Sequence, residues 1–265
     1  MNAKASFRPI DTLTMVGAHG KMGQLFVARS RAAGITCFEL DRPYDSPAGR
    51  DVLERGLARS DLLVLSVPAQ AIENVLGQLV PFIPQGCIVA DVCSVKTYPM
   101  EAMTRLYEGP VVGTHPLFGP IPPEDETPRV AVCPGRDDDE SAAQAVERWL
   151  KSMGFAPFRA TAAEHDHAMA YIQGLNFVTT VAYLATGNPD ELKRYLTPSF
   201  KRRLAASKKL LLEDSKLFRL IYEANPSSLE MARAYRNYLN VAAGGDLEVL
   251  VERAKTWWKD DKDQL

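Results

Sequence analysis

Histidine is scarce in this chain, and each of its four positions, 19, 115, 165 and 167, can be weighed for chemistry. His115 stands between Thr114 and Pro116, at the end of the apolar run Val111-Val112, with no apolar periodicity to absorb it. An imidazole so placed can take a proton near neutral pH as a general base. The plainer alternative is a histidine hydrogen-bonded in a strand-to-loop turn. Ser94 also follows an apolar run; it could orient a substrate hydroxyl or a cofactor ring, cap a helix beginning at Val95, or do both. His165 and His167 lie in Glu164-His165-Asp166-His167, but residues two apart on a helix point to different faces and no third ligand follows at helical spacing. No metal is expected there. His165, Met169, Ile172, Gln173 and Asn176 share one helical stripe, richer in imidazole and amide groups than plain core, although a polar seam between helices would look the same. Lys201-Arg202-Arg203, with Lys208 and Lys209 beyond, could grip a carboxylate, where a solvated helix face is the ordinary reading of such a run.

These residues need a frame, and the stretch Thr12 to Phe26 supplies its start. Five residues of strand character, Thr12 to Val16, enter a turn punctuated by Gly17, Gly20 and Gly23, and a helix-forming run follows. Such a turn offers bare backbone N–H groups and a helix N-terminus to a phosphate. The spacing is G-x-x-G-x-x-G, with Ala18-His19 in place of one residue. A helix-capping glycine turn would share it, but Ile35 to Leu40 is a second apolar run. It ends in Asp41, about 20 residues beyond the loop, where a carboxylate meets ribose hydroxyls. The reading is a dinucleotide site formed by Gly17, His19, Gly20, Lys21, Met22 and Gly23, with Asp41 and Arg42 after the second strand. Ser66, Val67 and Pro68 follow the third. Asp41 favours NAD over NADP because it repels a 2′-phosphate; Arg42 beside it pulls the other way.

Further along, the first half alternates as a doubly wound α/β sheet does. Strands are expected at Asp61–Val67, Cys87–Val92, Val111–His115, Arg129–Cys133 and Phe155–Arg159. Helices are expected at Ala69–Leu79, after Lys96 to Leu106, and at Asp138–Met153. The prolines and acids between Phe118 and Arg129 read as an irregular loop. In an open parallel sheet ligands gather beyond the C-terminal strand ends, where Asp41, Pro68, Ser94 and His115 all fall. From Thr161 the pattern changes. Thr161 and Glu164 form a capping box, and a helix runs to about Ala185, where Gly187-Asn188-Pro189 breaks it. Helical readings then cover 190–222, 226–242 and 246–258. The expected architecture is therefore α/β: a Rossmann-type, doubly wound parallel sheet over 1–160, followed by an all-helical domain over 161–265.

Bulk properties narrow the function. With 265 residues the chain can bury a sizeable core, and its formal net charge of −2 gives no reason to expect nucleic acid or an anionic membrane surface. No apolar run approaches a membrane span, and Met1 to Ser6 lacks the apolar core of a signal peptide. Cys37, Cys87, Cys93 and Cys133 are dispersed without a C-x-x-C pair, as buried thiols of a reducing compartment are. A cytoplasmic protein is expected, and Lys259 to Asp263 reads as a solvated end.

The stretches MVGAHGKMGQLF, ELDR, LSVP, ADVCSVK, GTHPLFGP and EHDHAMAYIQGL together resemble the prephenate dehydrogenase family over nearly the whole length. The resemblance implies NAD-dependent oxidative decarboxylation of prephenate or a close cyclohexadienyl analogue, a dicarboxylate, to the aromatic phenylpyruvate. It implies that His115 accepts the ring-hydroxyl proton and that Ser94 assists beside the nicotinamide. Lys201 or Arg202 would anchor a carboxylate, and Gln173 and His165 would line the substrate cavity. A homodimer through the helical domain is implied as well. Two positions depart from the family pattern: Phe177 replaces a histidine, and Lys201 stands where an arginine is usual, keeping charge without the bidentate fork. Family members act on prephenate, arogenate or 4-amino-4-deoxyprephenate, and the departures leave that choice open. Two rivals stand beside this reading. A hydroxyacid dehydrogenase of similar architecture would need a helix lysine near Gln173, and none is there. A non-catalytic NAD-binding regulator would not need His115 and Ser94.

Overall fold

The computed structural model describes residues 8–258; the lysine- and aspartate-rich end read at Lys259–Asp263 lies outside them. Seven strands, β1 (Thr12–Val16), β2 (Thr36–Leu40), β3 (Leu62–Leu65), β4 (Ile88–Asp91), β5 (Val111–Pro116), β6 (Arg129–Pro134) and β7 (Ala156–Arg159), form one sheet. Their order is β2-β1-β3-β4-β5-β6-β7. β3 and β4 are buried along their whole length, which is why they are written Leu-Leu-Val-Leu and Ile-Val-Ala-Asp rather than alternating.

Helices α1 (Lys21–Ala32), α2 (Pro47–Asp51), α3 (Ile72–Leu79), α4 (Thr97–Leu106) and α5 (Glu140–Ser152) connect these strands. Phe26 of α1 and Trp149 of α5 meet on one face of the sheet, ring centroids 5.6 Å apart, with Phe155 packed on Phe26. On the other face Ile72, Leu76 and Leu79 of α3 and Met103 of α4 form a second core. After β2 the chain winds continuously through α2, a π-helical turn (Val52–Gly56) and a 3-10 turn (Leu57–Arg59).

One reversal departs from the all-parallel expectation. β6 runs antiparallel to β5, with His115 opposite Ala131 and Pro116 opposite Val130. Parallel neighbours need a crossover, usually a helix, and the proline-rich link between β5 and β6 forms none among its residues. β5 consequently runs through His115 to Pro116 instead of stopping before it.

Beyond β7 the chain is helical: α6 (Ala162–Met169), a π-helical turn (Ala170–Leu175), α7 (Asn176–Ala185), α8 (Pro189–Leu192), α9 (Pro198–Leu212), α10 (Ser215–Ala224), α11 (Ser228–Ala243) and α12 (Leu247–Ala254). The helix read from Thr161 to Ala185 is thus interrupted by one π-helical turn. Thr161 and Glu164 do form the capping box: the Glu164 carboxylate accepts from the Thr161 N–H and hydroxyl, and Thr161 Oγ1 accepts from the Glu164 N–H. The chain divides into two compact units at Met169/Ala170 rather than near 160. The physical reason is α6, whose His165 and Asp166 are hydrogen-bonded to residues of the sheet unit.

Phe26 is fully buried between two aromatic rings and fixes α1 on the sheet. Phe26→Ala should lower unfolding free energy by about 3–5 kcal/mol, read as a reduced midpoint in urea at unchanged slope.

Candidate active site

Two groups of residues in the sheet unit have the geometry of a site. The first is the turn after β1. Gly17 has φ +77°, and a Cβ there would lie 2.3 Å from the Ser66 carbonyl oxygen; a Cβ on Gly23 would lie 2.2 Å from the Gly17 carbonyl. Both positions demand glycine because backbone meets backbone. Helix α1 then starts at Lys21 behind Gly20, with no side-chain cap and no acid in its first turn. Its leading N–H groups and positive end are open to an anion.

Asp41 reaches back to this turn, its Oδ2 accepting the His19 N–H at 3.1 Å with the His19 ring 3.4 Å away. Arg42 turns aside, donating to Asn74 Oδ1 at 2.9 Å and lying over the Tyr44 ring. It borders a cavity of about 730 Å³ that Tyr44, Asn74 and Phe82 help to line. The structure therefore brings Gly17, His19, Gly20, Lys21, Met22, Gly23 and Asp41 together, with Ser66 joined by its N–H to the Val16 carbonyl. Val67 is in contact range of a Gly17 Cβ, and Pro68 is the exposed lead-in to the turn before α3. These residues fit a dinucleotide: a close-approach backbone cradle for the pyrophosphate, and a carboxylate one strand away for the ribose.

The second group surrounds His115. The ring is buried within β5, 3% exposed, rather than at an open strand end. Its Nδ1 lies 2.8 Å from His165 Nε2, and His165 Nδ1 lies 2.9 Å from Asp166 Oδ1. Asp166 also accepts the N–H groups of Lys96 (2.7 Å) and Thr97 (2.8 Å), the start of α4. The Lys96 side chain is wholly buried, its Nζ donating to Asp91 Oδ2 and to the Thr114 carbonyl. Burial, aided by the neighbouring His165 and Lys96, pushes the His115 imidazole well below its usual pKa, with Asp166 opposing. His115 is thus a neutral ring at pH 7, able to accept.

Ser94 sits half-buried in a bend between β4 and α4 and does not cap the helix. The helix begins two residues after Val95, at Thr97, because Val95 and Lys96 are both drawn into the interior. The cap comes instead from Asp166. Sequence reasoning missed Asp91, Lys96 and Asp166; the available signals were an acid next to a histidine in E-H-D-H and an acid and a lysine five residues apart at the end of the apolar strand in A-D-V-C-S-V-K.

The remaining expected residues lie in the helical unit. Gln173 is in the π-helical turn, and its side-chain oxygen is buried without a hydrogen-bond partner among the described residues. π-helical turns recur at functional sites, and an orphan acceptor is one a ligand can satisfy. Lys201 and Arg202 are exposed near the start of α9, which Thr197 caps. Neither pairs with an acid among the described residues, whereas Arg203 lies 3.8 Å over the Tyr183 ring. Phe177 stacks on Phe218, so the departure from histidine is absorbed into aromatic packing.

Comparison with known proteins adds to this geometry. Residues 49–156 match the family model described as "Prephenate dehydrogenase, nucleotide-binding domain". A T-protein of Enterobacter agglomerans is 32% identical over 265 residues, covering 96% of this chain and 68% of that protein. The T-protein of Haemophilus influenzae is 28% identical, covering 97% of this chain and 69% of its own. Among solved structures, Synechocystis arogenate dehydrogenase superposes with a TM-score of 0.74 at 21% identity, covering 95% of this chain and 99% of that one. Prephenate dehydrogenase from A. aeolicus, in complex with hydroxyphenyl propionate and NAD+, gives 0.73 at 19% identity, over 94% and 96%. At such identities the structures establish the fold.

Gly17→Ala should weaken binding of NAD at least tenfold, measured by quenching of tryptophan fluorescence, because the added methyl group must displace the Ser66 carbonyl that shapes the turn.

Proposed function

The chain belongs to the prephenate dehydrogenase family, and on that premise we propose that it catalyses NAD-dependent oxidative decarboxylation of prephenate or a close cyclohexadienyl analogue. The observation that carries the proposal is a buried, neutral His115 within one sheet unit that also holds a phosphate-cradling glycine turn. Bound at that turn, NAD would supply the hydride acceptor.

The chain's own residues have a limited task, since aromatisation of the ring drives the reaction. Hydride departs from C4, the C1 carboxylate leaves as carbon dioxide, and its bonding electrons complete the aromatic ring. His115 accepts the C4 hydroxyl proton as the hydride leaves and returns it to the oxygen of the finished phenol. A neutral imidazole costs less to bury than a charged one and can do this without solvent. Ser94 is assigned to orienting the hydroxyl, Lys201 or Arg202 to holding the side-chain carboxylate, and Gln173 and His165 to contacts with the substrate. The exposure of Lys201 and Arg202, and the Gln173 side-chain oxygen that has no partner among the described residues, support those roles. Asp41, facing the glycine turn while Arg42 is engaged by Asn74, supports NAD over NADP.

We infer three finer points. The C4 substituent is hydroxyl or amino, and 4-amino-4-deoxyprephenate suits the same base; Lys201 in place of a forked arginine favours a substrate anchored by a single point charge. The protein works as a homodimer through its helical unit, where Ile172, Leu217, Leu229, Val249, Trp257 and Trp258 are exposed in one chain. Four free cysteines, three of them buried, suit a reducing cytoplasm. No helix among the described residues is long and apolar enough to cross a membrane.

Purified protein given NAD and prephenate, arogenate or 4-amino-4-deoxyprephenate should generate NADH absorbance with at least one of them; no turnover with any would refute the proposal. His115→Asn should cut kcat at least 1000-fold, on the order expected for losing a general base, while NAD affinity stays within threefold. Because His115 is depressed, it remains an acceptor as pH falls, and the acid limb of kcat/KM should lie below the ordinary imidazole range near 6.5. Light scattering after gel filtration should give twice the 29.2 kDa chain mass; a monomer would remove the dimer.

A further inference from the structure

The proton positions along His115, His165 and Asp166 can be read from one end. Burial alone would raise the Asp166 carboxyl, but bonds from His165, Thr97 and Lys96 outweigh it and hold the group below its usual value, hence ionised. A carboxylate only accepts, so His165 Nδ1 carries a proton toward Asp166 Oδ1. With that one ring proton placed on Nδ1, His165 offers a bare Nε2. At 2.8 Å from it, His115 Nδ1 must be the donor. The His115 proton is therefore on Nδ1, and its Nε2 is unprotonated.

Resting on the reading of His115 as the base, we infer that Asp166 is a positioning residue. Acting through His165, it fixes the tautomer of His115 that leaves Nε2 as the proton-accepting nitrogen. Two features outside the relay support this. α4 has no capping side chain from its own segment, and the Lys96 and Thr97 N–H groups instead orient the two Asp166 oxygens. The Lys96 side chain meanwhile holds the Thr114 carbonyl, immediately before His115, and the Asp91 carboxylate that also faces the Thr114 N–H. One residue thereby steadies both ends of the relay. The charged and titratable groups facing His115 are His165 and Asp166 of α6 and Lys96 before α4.

An amide at 166 cannot satisfy this site. Asp166→Asn must turn an NH2 group either toward the Thr97 N–H or toward Lys96 N–H and His165. In the second case His165 is forced to accept at Nδ1 and donate from Nε2, and His115 is left with its proton on the wrong nitrogen.

The test uses the full chain labelled with 15N-histidine, with long-range 1H–15N correlation spectra that distinguish Nδ1–H from Nε2–H imidazole. NADH formation is followed with whichever of the three dienes is turned over. Wild-type His115 should show the Nδ1–H form. Asp166→Asn should lose that form and lower kcat on the order of 100-fold, with NAD affinity within threefold. His165→Gln, whose side-chain oxygen can still accept from His115, should keep the Nδ1–H form and exceed His165→Ala in kcat at least tenfold. His115 as Nε2–H in the wild type, or His165→Ala retaining both the Nδ1–H form and kcat within threefold, would overturn the relay. Should Asp166→Asn fail to fold for want of the α4 cap, the His165 pair decides, since neither variant touches that cap. Full turnover in His115→Asn would instead remove the base assignment itself, whereas an inactive His115→Asn beside a fully active His165→Ala removes the relay alone.

Discussion

Lys96 and Asp91 are both completely buried and paired with each other. Taking two charges out of water is expensive, and such a pair persists where further hydrogen bonds satisfy its remaining groups. Here they do. Asp91 accepts the Cys93 N–H and faces the Thr114 N–H, Lys96 also donates to the Thr114 carbonyl, and Thr114 Oγ1 donates to the Asp91 carbonyl. The pair joins β4, β5 and the start of α4 at the ends of adjacent strands. Losing either member would strand a buried charge, so the local backbone has little freedom. The imidazole of residue 115 inherits that rigidity, which its proposed role as proton acceptor would require.

Much of this was legible from the sequence, and for identifiable reasons. β3 and β4 are continuous apolar runs, and β1 leads straight into glycines. Gly17 and Gly23 stand where a Cβ would strike backbone oxygen, so local chemistry alone announces the turn. The Thr161–Glu164 box was readable because capping is decided within four residues. His115 and His165 were each singled out, though not as partners. Their meeting depends on the long-range placement of α6 on the sheet unit, fifty residues along the chain. Asp166 escaped notice for the same reason, since the helix it caps is seventy residues earlier. The expectation that Ser94 might cap that helix followed from local pattern and gave way to this tertiary cap. The reversal at β6 was invisible because a strand's direction is not written in its residues.

The two departures from the family pattern differ in kind. Phe177 has found an aromatic partner in Phe218, so the loss of a polar group there leaves no unsatisfied donor or acceptor. Lys201 is exposed and keeps its charge, so its replacement of arginine changes geometry more than electrostatics. Both belong to the helical unit, whereas the residues proposed to handle the proton belong to the sheet unit.

The antiparallel step between β5 and β6 has an evolutionary corollary. A parallel neighbour would have tied the two strands through a helix packed across the sheet, and any change in its length would have disturbed a core. The segment 117–128 instead leaves β5 and enters β6 at the same end of these two strands, closed by the Leu117 N–H on the Arg129 carbonyl, and its Ile121 is almost wholly in solvent. Phe118 is tied to the core through the Phe155 ring, 5.1 Å away, so only the exposed residues beyond it can change in number with the framework untouched. That exposed stretch begins only a few residues after His115, so its length can vary close to the buried imidazole without a helix having to move.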